Sequence, residues 1–487
     1  MAIVKVPQQL WRGDWMLVPL AWVVQIVFYF NGTFHKGAHA PLLGDGYILH
    51  TMALNYLQNG VMAYREAVPT LTQLPVYPWM IANVYRIFGE DPRAMIWIQM
   101  ILAGMSIPFL MHLLKPLLGT WRWAFALLWV MDIHQITYAG VISTEFWVVH
   151  LWVLAWIFLW KAMQEEGFWK WILAALCLSL AANIKPLSLY LPFFLTPLLL
   201  ALTQSPWIDR IKRVVVFLLI YLLCLLPLLI RNHEQTGEFP RYTTISSFNL
   251  WYFNLPYFRA LDEGISVAEA RHAFVEKMRL RLIEKGADLP PITVQTASDR
   301  HAHRAALGLN EHDYAKLADT LSSEYLKDHF WDYVRWHLHH SPNIFLVSNL
   351  SWIKLVYQYF EPFSMGWNPS EWLKLILKGG KESFFAICRL WELTYSLGFL
   401  GLGLLGFLRF RLLSNPRFFL FTWSFPLYVT LICGVNVWGR FRYLFMPMLI
   451  CIGLMALMTL RKNNGSLPTG ESEHPSQDPS CHSPESP

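Results

Sequence analysis

Charged side chains that could carry out acid–base and phosphate chemistry stand at the ends of apolar stretches of the sequence. Asp45 lies between Gly44 and Gly46, and Glu145 follows Thr144. A carboxylate in such a place can remove a proton from an attacking hydroxyl group. The other residues of this kind are four cations that could hold a phosphate and one phenol beside them: Lys185, Arg231, Arg440, Arg442 and Tyr443. Together these residue types indicate a site for a substrate that carries a phosphate group.

Each of these residues also has a purely structural interpretation. Lys and Arg at a helix end usually extend towards lipid headgroups, an Asp beside glycine often forms a turn, and Glu145 could interact with a helix N-terminus. Asp132 differs from them because it lies midway along an apolar run. A charge there costs roughly 2.5–3.5 kcal/mol on insertion scales, so it needs a partner or a polar cavity.

The composition is that of a membrane protein. Of 487 residues, 55% are hydrophobic and only 15% are charged, whereas soluble domains are about 25% charged. This excludes a disordered, collagen-like or disulfide-scaffold chain. The net charge of +6 comes from basic residues scattered at the ends of apolar runs, so we expect no nucleic-acid partner.

About ten stretches are apolar over the roughly 20 residues that a bilayer-spanning helix needs. In chain order they are Trp15–Phe34, Ala94–Leu114, Trp121–Tyr138, Glu145–Met163, Phe168–Ile184, Leu187–Thr203, Val214–Ile230, Phe384–Leu408, Arg417–Val435 and Phe441–Leu460. We therefore predict an all-α polytopic membrane protein.

The short basic loops predict the orientation of these spans. With the N-terminus in the cytoplasm, every short basic loop lies inside, and the two carboxylates and four cations all lie at the outer boundary. This co-location favours a site over six separate structural roles. The orientation requires that the apolar stretches 75–89 and 343–360 lie in the outer interface and do not cross.

The pattern of apolar and charged stretches divides the chain into four parts. Residues 1–230 form a transmembrane core that includes a first outer loop, 35–93. Residues 231–383 form an outer insert with two amphipathic helices, one starting at Ser266 with the spacing of a capping box to Glu269 and one running from Glu311 to His340. Residues 384–462 hold the last transmembrane helices, and 463–487 form a disordered cytoplasmic tail.

Six motifs resemble those of the GT-C superfamily of polytopic glycosyltransferases. More narrowly, the chain is similar to the bacterial membrane glycosyltransferases related to protein O-mannosyltransferases and to the aminoarabinose transferase of lipid A. The motifs are GDGY at 44–47, QLPVYP at 73–78, AGVISTE at 139–145, NIKP at 183–186, PLLIRNH at 227–233 and GRFRYLFMP at 439–447. The resemblance covers about residues 10–460.

The resemblance implies a reaction and roles for the charged residues. The donor would be a polyprenyl-phosphate sugar, and the acceptor a lipid, glycan or protein at the outer face of a bacterial inner membrane. Asp45 would be the general base or would orient the acceptor hydroxyl, and Glu145 would assist it or hold a divalent metal. The residues implied to bind the phosphate of the departing lipid are Lys185, Arg231, Arg440 and Arg442, with Tyr443 as a hydrogen-bond donor.

Two other functions remain open at the level of sequence. A transporter or flippase of lipid-linked glycans would have the same spans, although no internal repeat is visible in the sequence. A GT-C-like assembly protein without activity is the other, because Gly46 stands where many relatives have a second acid. A metal site on His329, His337, His339 and His340 is less favoured than an aromatic helix at the membrane interface.

Overall fold

The computed structural model describes residues 11–32, 42, 45–64, 70–165, 167–239, 241–299, 302–346, 369–433 and 440–464. Within these ranges all regular structure is helical. The prediction of an all-α fold is therefore confirmed. Most of the apolar stretch 343–360 and most of the tail 463–487 lie outside the described residues.

The first part of the chain folds into helices at the apolar runs. They are α1 (Trp11–Asp14), α2 (Leu17–Gly32), α3 (Asp45–Asn59), α4 (Val76–Phe88), α5 (Pro92–Leu118), α6 (Arg122–Val130), α7 (Ile133–Ala139), α8 (Thr144–Gln164), α9 (Trp169–Ile184), α10 (Leu191–Leu202) and α11 (Trp207–Thr236). Large aromatic side chains fill the space between them and the last helices. The buried indoles of Trp152 and Trp156 donate hydrogen bonds to Ser188 Oγ (2.9 Å) and Thr422 Oγ1 (3.0 Å).

The insert folds around an apolar core of its own. Its helices are α12 (Ile245–Phe248), α13 (Leu255–Glu263), α14 (Val267–Ile283), α15 (Val294–Ser298), α16 (Ala302–Ala306) and α17 (Glu311–His340), with a π-helical turn at Asn249–Asn254. Helices lie at both positions where the sequence predicts them. Ser266 and Glu269 make the reciprocal hydrogen bonds of a capping box, and α17 has the predicted bounds, with a kink at His329.

The last part of the described chain returns to apolar helices. They are α18 (Pro369–Lys378), α19 (Gly380–Leu408), α20 (Pro416–Cys433), α21 (Arg440–Tyr443) and α22 (Met446–Asn464). Close helix packing depends on glycine here. A Cβ atom on Gly403 of α19 would lie 2.6 Å from Trp423 Cζ2 and 2.9 Å from Ile452 Cγ2.

Several of the described helices are suited to a membrane. Five are long and apolar enough to cross one: Pro92–Val130, Thr144–Gln164, Trp207–Thr236, Glu382–Leu408 and Pro416–Cys433. Shorter apolar helices occupy Leu17–Phe30, Trp169–Ile184, Pro186–Leu202 and Met446–Leu460. The chain is therefore a multi-pass membrane protein. Helix α4 has 13 residues, which is less than the roughly 20 that a span needs.

The predicted span Trp121–Tyr138 is not one helix. Helix α6 ends at Val130, and Asp132 adopts an extended conformation (φ −67°, ψ 118°) before α7 begins. The Asp132 carboxylate accepts a hydrogen bond from the His134 amide at 3.1 Å and so caps α7. The sequence predicts that the charge of Asp132 needs a partner. In the structure the helix ends before Asp132, and the partner is the His134 amide at the start of α7.

Candidate functional site

Asp45, Glu145, Lys185 and Arg440 meet in one place, which we call the charged cluster. Four separate segments carry them. Asp45 begins α3, Glu145 lies in the first turn of α8, Lys185 follows the last residue of α9, and Arg440 begins α21. Four of the seven residues that the sequence singled out are thus neighbours.

The cluster is a chain of alternating charges. Arg440 Nη1 donates to Asp45 Oδ2 at 3.0 Å, and Arg440 Nε lies 3.4 Å from Glu145 Oε1. The same Oε1 atom accepts a hydrogen bond from Lys185 Nζ at 2.9 Å. Thr144 Oγ1 lies between Glu145 Oε2 (3.1 Å) and Lys185 Nζ (3.3 Å). Arg440 therefore bridges the two carboxylates, and Glu145 bridges the two cations.

Exposure differs sharply across the cluster. The Glu145 side chain is only 3% exposed, whereas that of Asp45 is 33% exposed. The Phe441 ring lies 5.3 Å from both Lys185 Nζ and Arg440 Cζ, which shields the two cations from one side. Asp45 is thus the carboxylate open to solvent, and Glu145 is the buried one that pairs with both cations.

Buried hydrogen bonds fix the turn that precedes Glu145. Gln99 of α5 is completely buried. It accepts a hydrogen bond from Tyr77 OH at 2.7 Å and donates to the Val141 carbonyl at 2.9 Å. Since Val141 lies four residues before Glu145, these contacts orient the N-terminus of α8. The sequence analysis did not predict a role for Gln99, because Gln99 lies in none of the six motifs.

Lys185 reaches the cluster because α9 ends there. Pro186 disfavours helical geometry at the preceding residue, and Lys185 is extended (φ −142°, ψ 121°). Its amide still donates to the Ala181 carbonyl at 2.8 Å. The side chain is 12% exposed, so its charge lies in a site that is mostly screened from solvent.

Arg231 lies in a different contact, at the base of the insert. Its Nη1 atom donates to Asn232 Oδ1 at 3.0 Å, and Nη2 donates to the Thr70 carbonyl at 3.4 Å. Next to it, Glu311 Oε2 of α17 accepts hydrogen bonds from Thr70 Oγ1 (2.8 Å) and from the Leu71 amide (2.9 Å). Arg231 thus connects the last part of α11 to residues 70–71, which Glu311 of the insert also binds.

Arg442 and Tyr443 point into the protein interior. Arg442 is fully buried and forms an ion pair with Glu392 of α19. Tyr443 is also fully buried, and its hydroxyl donates to Gln135 Oε1. These contacts place both side chains in an internal network, in contrast to Arg440 on the same short helix. The sequence does contain a signal for Glu392: a carboxylate within an apolar span needs a charged or polar partner.

The charged cluster is a poor set of ligands for a divalent metal. Both of its carboxylates are already paired with cations, which would repel a metal ion placed between them. Within the described ranges, no group of three or more His, Cys, Asp or Glu side chains could hold a metal. His337 Nε2 and His340 Nδ1 instead donate to the carbonyls of Leu431 (2.7 Å) and Trp336 (2.9 Å).

A family model matches an internal stretch of about a third of the chain. Residues 69–230 match the family described as dolichyl-phosphate-mannose-protein mannosyltransferase, which belongs to the GT-C superfamily. No curated protein and no solved structure gives a significant match. The matched residues include Glu145 and Lys185 of the charged cluster. The resemblance to this family is thereby confirmed over residues 69–230, and the match supports a membrane glycosyltransferase of the GT-C type.

Proposed function

We propose that the protein transfers a sugar from a polyprenyl-phosphate donor to a hydroxyl of a lipid, glycan or protein acceptor. In this proposal the charged cluster is the active site and faces the outer side of a bacterial inner membrane. The insert 231–383 lies on the same side. The lipid tail of the donor stays in the bilayer, while its phosphate and sugar lie at the boundary where the apolar helices end.

The reaction is a displacement at the sugar C1 atom with inversion. The acceptor oxygen forms a bond to C1 as the bond between C1 and the phosphate oxygen breaks. Asp45 takes the proton of the acceptor hydroxyl, and the electron pair leaves with the polyprenyl phosphate. Lys185 and Arg440 stabilise the negative charge that grows on this leaving group. No step requires a metal.

The observation that carries the proposal is the pairing of Asp45 with Arg440. A carboxylate that can reach an acceptor is held beside a cation that can bind a phosphate, and Glu145 and Lys185 continue the arrangement. Such a pair suits a substrate in which the attacked carbon is bonded directly to a phosphate. The sequence also predicts phosphate binding by Arg231, Arg442 and Tyr443. Their side chains contact other parts of the protein, so the proposed reaction does not use them.

A transfer assay in membranes tests the proposal. Membranes that contain the protein are given a polyprenyl-phosphate donor with a radiolabelled sugar, and label is followed in the lipid, glycan and protein fractions. Transfer above membranes without the protein supports the proposal. Movement of intact labelled donor across the bilayer without transfer would instead support the flippase, and no effect on the donor would support an inactive assembly protein.

A further inference from the structure

We propose that Arg442 is a positioning residue, whose ion pair with Glu392 fixes α21 so that Arg440 reaches the charged cluster. The inference rests on the proposed function, because Arg440 is the cation to be positioned for phosphate binding. It changes the role expected for Arg442 from a phosphate ligand to an internal anchor.

Helix α21 is too short to be stable by itself. It has four residues, Arg440–Tyr443, which is one turn, and a single turn is unfavourable by itself. Successive residues of a helix are about 100° apart, so Arg440 and Arg442 point about 200° apart, to nearly opposite sides. Contacts of Arg442 on one side of α21 therefore determine where Arg440 points on the other side.

The inner side of α21 is firmly anchored. Arg442 Nη1 donates to the Phe345 carbonyl at 2.8 Å, and the guanidinium pairs with Glu392. Tyr443, next in the chain, stacks on Tyr138 with ring centroids 5.1 Å apart. Because Arg442 and Glu392 are both fully buried, their attraction is little screened by solvent.

Arg389 offers a matched control. It pairs with the same carboxylate as Arg442, with Nη1 3.1 Å from Glu392 Oε2, and it is also buried. Its other nitrogen donates to the Leu346 carbonyl at 2.8 Å. Arg389 and Glu392 both lie on α19, however, so their pair does not connect α19 to α21. Loss of either arginine perturbs the same network, but only loss of Arg442 releases the helix that carries Arg440.

The first experiment compares Arg442→Gln with Arg389→Gln. We expect Arg442→Gln to reduce transfer about 100-fold, the effect of misplacing a binding group by about 1 Å, while Arg389→Gln retains transfer within about threefold. Hydrogen exchange of the backbone amides at 440–443 should accelerate in Arg442→Gln and not in Arg389→Gln. Equal losses of transfer and equal exchange in the two variants would overturn the proposal.

A double-mutant comparison separates positioning from general damage. If Arg442 acts through Arg440, then Arg442→Gln adds little to the loss already caused by Arg440→Lys. If the two losses multiply, Arg442 does not act through Arg440 and the proposal fails. Arg442→Lys keeps the charge and should lose less transfer than Arg442→Gln. If Arg442→Gln does not fold, Arg442→Lys takes its place in both comparisons.

The failure of the proposed function would be recognised separately. If the wild-type protein transfers no sugar, the proposed function fails, but hydrogen exchange at 440–443 still reports whether Arg442 anchors α21. If the wild-type protein transfers sugar and Arg442→Gln changes neither transfer nor exchange, only the positioning role is excluded.

Discussion

Arg440 Nη1 donates a hydrogen bond to Asp45 Oδ2 at 3.0 Å, although 395 positions of the sequence separate the two residues. This contact joins the N-terminus of α3 to the short helix that precedes the last apolar helix. In the proposed reaction it also implies an order of events at the charged cluster. A donor phosphate that binds Arg440 competes with Asp45 for the guanidinium, so donor binding would leave the Asp45 carboxylate available to the acceptor.

Replacement of Lys185 should weaken donor binding more than acceptor binding. Lys185→Ala removes a cation that we place at the donor phosphate, while the Asp45 carboxylate remains. We expect the KM for the polyprenyl-phosphate donor to rise at least tenfold and the KM for the acceptor to change less than threefold. Steady-state transfer rates at varied donor and acceptor concentrations measure both.

Lys170 provides the control for this variant. It lies at the other end of α9 and pairs with Glu165, and it is as buried as Lys185. Lys170→Ala therefore removes a similarly buried lysine, although its partner Glu165 is 53% exposed, and should leave both KM values unchanged. An equal rise of donor and acceptor KM in Lys185→Ala would contradict a role in phosphate binding.

Glu311 should hold the insert to the segment at 70–72 in a pH-dependent way. Burial raises the pKa of Glu311, but hydrogen bonds from Thr70 and from the Leu71 and Thr72 amides, together with the charge of Arg304, lower it to a net value below 4.5. Since the folded pKa is lower than the unfolded one, the stabilisation is complete above the unfolded pKa. It is lost as the pH falls through the folded pKa.

The substitution Glu311→Gln tests this contact. Loss of the charge from an acceptor of several hydrogen bonds should cost of the order of 2 kcal/mol of stability near pH 7, seen as a lower melting temperature. The difference from wild type should shrink below about pH 4. Glu284→Gln, at an exposed position of the same insert, should have little effect at any pH. A constant difference for Glu311→Gln down to pH 3 would argue against the lowered pKa.

Two glycines of α19 should respond differently to the same substitution. At Gly403 a Cβ atom would lie 2.6 Å from Trp423 Cζ2 on α20, whereas at Gly401 it would meet nothing within 4 Å. Gly403→Ala should therefore destabilise the protein by about 1–3 kcal/mol through overpacking. Gly401→Ala should be neutral or slightly stabilising. Melting temperatures in detergent compare the two, and equal values would mean that α19 and α20 are not in close contact at Gly403.

The sequence predicted the helices wherever local signals were strong. The bounds of α17 follow from Glu311 in its first turn and from Ser341-Pro342 at its end, and α14 follows from its capping box. The break at Asp132 was not predicted. At this break His134 Nδ1 donates a hydrogen bond to Asp132 Oδ1 at 2.9 Å, and His134 Nε2 lies 3.4 Å from Glu392 Oε1, far along the chain.

The candidate site was predictable only in part, for a similar reason. The predicted orientation of the spans put Asp45, Glu145, Lys185 and Arg440 on one side of the membrane, and in the structure these four side chains are in contact. The predicted orientation could not separate Arg440 from Arg442, because two positions in one short helix look alike in sequence. Which of them faces the cluster is decided by Glu392 and the Phe345 carbonyl, contacts that form only when α19 and α21 pack together.

The most direct test of the account is sugar transfer by Asp45→Asn compared with Asp91→Asn. Both variants replace an aspartate that is paired with an arginine and exposed by about one third, and asparagine keeps the size of the side chain. Radiolabelled sugar transfer from a polyprenyl-phosphate donor is measured in membranes that contain equal amounts of each protein. We predict that Asp45→Asn lowers transfer at least about 100-fold through loss of the general base, while Asp91→Asn transfers as the wild type does. Near-normal transfer by Asp45→Asn would contradict the assignment of the charged cluster as the active site.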